Sequence, residues 1–213
     1  MLKKLAFLLI ASGCLMTAKA DTVNIASSAT ETTNNSGSAT QNINGNTLWA
    51  APFAGSSWVS NGNTGYQYAP GFTVVPNGYM VAFSDTFTLG GPVTAASLFV
   101  MADDTASVWL NGNLIYAAAL GGSYPVCSST VIGCLNGTTG EFTLSDFDNY
   151  FVNGANTLTF DVYQENGSSF GLDYKGSFTT DPPVGTPEPG TTVLLGAGLL
   201  GAALLSRKFA FNS

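Results

Sequence analysis

The sequence predicts an all-β fold, an antiparallel β-sandwich of the jelly-roll kind, with an N-terminal signal helix and a single C-terminal hydrophobic helix. Three observations carry that expectation. Short runs of β-prone residues recur between Gly, Pro and Asn turns. No stretch of the body sustains a 3.6-residue apolar period over three turns. In "ASVWLNGNLIY", Val108-Trp109-Leu110 and Leu114-Ile115-Tyr116 flank Asn111-Gly112, a pair suited to the left-handed dihedrals of a tight hairpin turn.

The chain opens, over 1–20, with "MLKKLAFLLIASGCLMTAKA". Two lysines, an apolar run and small residues at Ala18 and Ala20 follow the order of a secretory signal peptide. Signal peptidase would cut after Ala20 and leave Asp21 as the first mature residue. A second reading takes "IASGC" as a lipoprotein signal that places a diacylglycerol on Cys14. Ala11 stands where such signals usually carry leucine, and Lys19 and Ala20 fit the ordinary cut better.

Residues 21–46 form a polar segment rich in Ser, Thr, Asn and Gly, expected to open with a short strand at 22–25. Beyond it the segment reads as loop or edge strand, because little apolar area is available to offset ordering entropy. The sandwich is assigned to 47–180. "YMVAFSDTFTL" and "AASLFVMA" read as strands, the second apolar enough for a central one. "NTLTFDVYQENG" alternates Leu158, Phe160 and Val162 against Thr157, Thr159, Asp161 and Tyr163, the pattern of a half-buried strand. "SFGLDYKGSFT" supplies the last strand, and "GEFTLSDFDNYFVNGAN" reads as a loop or single helical turn. A linker over 181–186, a tail over 187–208 and a cytoplasmic stub over 209–213 complete the chain.

Charge narrows the partners. The chain carries a formal net charge of −7, but five of its six basic residues lie in the terminal segments. Lys175 is the sole basic residue of the body against twelve acids, a balance of −11. Such a surface repels phosphate, so nucleic-acid binding is excluded. Cys127 and Cys134 remain after signal removal, and an even pair at short spacing in an exported chain reads as a disulfide.

Little in the body carries chemistry. Histidine is absent, which removes the commonest general base and the usual zinc ligand, and the expectation is a protein that is not an enzyme. No cofactor is expected beyond a structural calcium, for which Asp103, Asp104, Asp146 and Asp148 are the candidates, although neither pair has the spacing of a known calcium loop. Exposed aromatics stack on sugar rings, and Trp49, Trp58 and Trp109, with Tyr66 and Tyr68, are the candidate glycan contacts. The competing reading places the same rings in the core.

Two resemblances follow from quoted residues. "VWLNG" at 108–112 and Gly154, Asn156, Leu158, Phe160 and Val162 of a "GxNxLxFxV" strand resemble the galactose-binding-like jelly rolls, sugar-binding modules of exported bacterial proteins. That likeness covers about 79–179 and implies a fold, with the ligand left open. "TPEPG" at 186–190 precedes 18 uncharged residues, Pro189 to Ser206, and then Arg207-Lys208. As a helix that run is about 27 Å long, slightly short of the ~30 Å hydrocarbon core, with the basic pair held on the cytoplasmic side. Pro187-Glu188-Pro189, the apolar run and the basic end resemble the PEP-CTERM sorting tails. The tail departs from many members in having two basic residues and then "FAFNS" instead of an arginine cluster.

The second resemblance implies export across the inner membrane of a Gram-negative bacterium and transient membrane insertion by the C-terminal helix. It also implies recognition by an exosortase, with a final place at the cell surface or in the extracellular matrix, linked to exopolysaccharide and biofilm. The expected role is structural or adhesive. The alternative is a carbohydrate-binding module that recognises a glycan through exposed aromatics.

Overall fold

In the computed structural model, residues 20–121, 127, 131–165, 167–181 and 194–202 are described. A compact unit spans Ala20–Pro182. Eleven strands are described within it: β1 (Asp21–Ala26), β2 (Thr33–Asn34), β3 (Gln41–Asn42), β4 (Val59–Ser60), β5 (Met80–Leu89), β6 (Val93–Asp103), β7 (Thr105–Leu110), β8 (Asn113–Tyr116), β9 (Gly140–Thr143), β10 (Gly154–Tyr163) and β11 (Gly171–Thr180). One sheet runs β3-β4-β11-β6-β9 with β1 also on β11, and the other runs β2-β5-β10-β7-β8. Every pairing is antiparallel, so the predicted sandwich is the observed architecture.

Alternation along the strands builds the core between the sheets. In β5, Val81, Phe83, Phe87 and Leu89 are buried, and in β10, Leu158, Phe160 and Val162. Phe160 stacks on Tyr174 of β11 at 4.6 Å, and Phe87 on Phe178 at 4.6 Å, so aromatic pairs join the two layers. The hairpin turn between β7 and β8 has Asn111 at φ 52° and Gly112 at φ 79°, the double left-handed geometry that "NG" predicts.

Residues 21–46 open with a short strand, β1, along the edge of β11, while the reading of the stretch after Cys134 is corrected. β1 pairs with Lys175–Thr180 along one edge of β11, while Val59 of β4 pairs with Leu172 farther along that edge. Main-chain pairing and buried hydroxyls hold the segment alongside the apolar contact of Ile25: Ser27 and Thr32 are buried, and Ser27 N donates to Tyr174 O. The aromatic stretch after Cys134 contains more than a helical turn. It holds β9, then the one-turn helix α1 (Leu144–Phe147) and a 3-10 turn over Asp148–Tyr150. Four residues are too few for a period of two to declare itself, and only pairing with β6 reveals β9 as a strand.

Of the terminal segments, 194–202 are described and are helical. No helix among the described residues is long and apolar enough to cross a membrane. The signal peptide through 19, the Pro187-Glu188-Pro189 motif and Arg207-Lys208 lie outside the described residues.

Candidate functional site

The three tryptophans part company. Trp49 and Trp58 are 7% and 2% exposed, and their rings meet at 4.3 Å in a small core with Ala50, Met101, Cys127 and Cys134. Trp58 Nε1 donates to Ala50 O. Both are therefore removed from the candidate glycan contacts, because their ring faces are used in packing. Trp109 differs: it is the half-buried member of an otherwise buried β7 and lies on the outer face of the five-stranded sheet. Its Nε1 donates to Asp161 Oδ2 at 2.8 Å, which holds the indole in one orientation. Tyr66 and Tyr68 pack edge to face at 5.6 Å in the loop between β4 and β5, and Tyr68 is 75% exposed.

Cys127 and Cys134 form the expected disulfide, with Cα atoms 5.7 Å apart. The cystine is buried, and its segment is tied to neighbours by Ala50 N donating to Cys134 O and Ala102 N to Gly133 O.

The four candidate calcium ligands do not converge. Asp103 ends β6 and Asp104 links it to β7, whereas Asp146 lies in α1 and Asp148 in the 3-10 turn after it, beyond β9 where Thr143 pairs with Ser97. Six strand residues separate Ser97 from Asp103, or about 20 Å. Asp146 Oδ2 accepts from Thr143 N and Thr143 Oγ1, closing the first turn of α1. Asp148 Oδ1 accepts from its neighbour Asn149. Asp104 Oδ2 accepts from Glu165 N at 2.6 Å. Burial first, and then the charge of Asp104, push the Asp103 carboxyl well above the usual carboxylate range. Asp103 does lie with Cys127 and Cys134, their ligand-type atoms all within 4.8 Å of one another, but both sulfurs are committed to the disulfide. A carboxyl that favours its proton beside an oxidised cystine is a poor donor set for a cation.

A buried polar network went unread in the sequence. Tyr174 donates its hydroxyl to Asp85 Oδ2 at 2.9 Å and meets Thr32 Oγ1 at 2.9 Å, which links β11, β5 and the segment after β1 through the core. Asp173 Oδ1 accepts from Ser27 Oγ, and its Oδ2 accepts from Phe53 N. Burial raises both carboxyls, Asp85 and Asp173, against the lowering effect of these hydrogen bonds. The signal was present: Asp85 occupies the inward parity of β5, between Phe83 and Phe87.

Comparison with known proteins yields two findings. No curated protein matches the chain. Among solved structures the chain is similar to the native structure of a family 35 carbohydrate binding module from Clostridium thermocellum, with 12% identity and a TM-score of 0.40, over 73% of this chain and 97% of that one. The family model of the PEP-CTERM protein-sorting motif matches residues 186–208. That span takes in Pro187-Glu188-Pro189, the uncharged run and Arg207-Lys208 in the order read from the sequence. Behind its β-sandwich body, the chain carries a PEP-CTERM protein-sorting motif.

Proposed function

We propose that this protein is an exported, non-enzymatic component of the cell surface or extracellular matrix of a Gram-negative bacterium, sorted and processed by an exosortase. The sorting motif at 186–208, directly behind a body whose last strand ends at Thr180, is the observation that carries the reading. The body's geometry suits a cargo. Asp21 pairs with Thr180, so the first strand of the body begins beside the end of its last strand. Signal peptidase and then exosortase would act outside the strands of the sandwich, the first of which begins at Asp21 and the last of which ends at Thr180. Asp146 and Asp148 accept hydrogen bonds within their own turns. A link to exopolysaccharide and biofilm belongs to the same proposal.

Intact mass spectrometry of the protein from its native host tests it. A mass beginning at Asp21 and ending near 187–190, reverting to a retained Arg207-Lys208 tail when the exosortase gene is deleted, is the expected result. A tail retained in both strains overturns the sorting assignment.

A second reading, a carbohydrate-binding module, is favoured by the half-buried Trp109 and the Tyr66–Tyr68 pair. A glycan array with the mature protein tests it, and silence across neutral, anionic and cationic glycans removes it.

A further inference from the structure

We infer that the outer face of the five-stranded sheet, centred on Trp109 and Asp161, binds an extended polysaccharide bearing protonated amino groups. The inference rests on the carbohydrate-binding reading and gives it a site and a ligand class. Pairing registers put Thr33, Ser84, Thr159, Trp109 and Leu114 opposite one another in a single row across all five strands. Directly paired residues point to the same face, so the row is a continuous strip about 19 Å long at ~4.8 Å per strand. The neighbouring row adds Thr86 and Thr157, whose hydroxyls meet at 3.2 Å, as those of Ser84 and Thr159 do at 3.3 Å.

The strip has the chemistry of a sugar platform. Its hydroxyls both donate and accept, as sugar hydroxyls do. One end carries a partly exposed indole whose N–H is tied to Asp161, which fixes the orientation of the ring. Leu114, 43% exposed, extends the apolar end on β8. A strip that crosses all five strands suits an extended chain rather than a compact ligand.

Charge selects the type of chain. Asp161, in the next row between Ala82 and Ser107, brings a carboxylate to the indole, and the body around it has twelve acids against Lys175. An anionic polysaccharide is repelled. A protonated amino sugar gains on two counts, as a cation over the indole and as an ion partner of Asp161.

Titration of the host-purified protein, at 0.15 M salt, with a glucosamine hexasaccharide, its N-acetylated counterpart, a neutral β-glucan hexasaccharide and a polygalacturonate separates the outcomes. The expected result is preference for the glucosamine oligomer, weakened about tenfold by Trp109→Ala. Asp161→Asn retains an acceptor for the indole while removing the charge, and should weaken binding about tenfold and abolish preference over the acetylated oligomer. Melting temperatures of both variants establish that the fold persists. Amino-sugar binding that both variants retain is surface adhesion of an acidic protein, and it overturns this site while sparing the carbohydrate-binding reading. Preference for the neutral or acetylated oligomer overturns the ligand class. Binding to none of the four, or to any other glycan, removes the broader reading and this inference with it.

Discussion

Asn156 shows how one side chain joins two distant sequence motifs. It is fully buried, and all its hydrogen-bonding capacity is used: Oδ1 accepts from Asn111 Nδ2 and Val152 N, and Nδ2 donates to Val152 O and Gly154 O. Asn111 answers with Oδ1 accepting from Thr157 N, while its own Nδ2 also reaches Tyr150 O. The hairpin asparagine and the strand asparagine are therefore one clamp. Asn156→Ala leaves several buried groups without partners, and we expect a loss of about 3 kcal/mol, measured by urea unfolding. A loss below ~1 kcal/mol refutes the clamp. Asp103 is the opposite case, a carboxyl whose charged form is disfavoured by burial and by Asp104. Asp103→Asn removes the ionisation and should raise the melting temperature at pH 7 by a few degrees, on the order of 1 kcal/mol.

At the scale of elements, the cystine and β1 do different work. The cystine closes a short loop against Trp49, Trp58 and Met101, a core separate from the main one. Replacing Cys127 and Cys134 with Ser should cost about 2–3 kcal/mol by the chain-entropy account, seen as a lower urea midpoint with the β spectrum retained. An unchanged midpoint would show that packing alone holds the loop. A close approach fixes the neighbouring chain path, since a Cβ on Gly65 would overlap Asn44 O. β1 contributes main-chain pairing along six residues of β11, and Ile25 is its one buried apolar side chain. Its sequence marks a short strand but does not identify the partner, which lies about 150 residues away.

For the whole molecule, pH should act in an unusual direction. Asp85, Asp103 and Asp173 all have folded-state carboxyls raised by burial, so the native state binds their protons more tightly than the unfolded chain does. Stability from these groups is fully present below the ordinary carboxylate range and is lost as pH rises through the raised values. Relief of self-repulsion in a body of −11 works in the same sense. Thermal unfolding should therefore show a melting temperature at pH 4.5 no lower than at pH 7. A fall on acidification refutes this account, and Asp103→Asn should flatten the profile.

What was legible in the sequence was local. The Asn111-Gly112 turn follows from two dihedral preferences, the β10 alternation from a period of two, and the sorting tail from a linear order of tripeptide, apolar run and basic end. Each is complete within two dozen residues, so no folding is needed to read it. Tertiary structure alone decided which tryptophan stays at the surface, since Trp49, Trp58 and Trp109 differ in what packs over them. It alone placed Asp85 beneath Tyr174, bound 21–46 into the sheets, and aligned Thr33, Ser84, Thr159, Trp109 and Leu114 in one row. The physical reason is shared: burial and cross-strand register depend on pairings between strands far apart in the chain, and local preference carries no information about them.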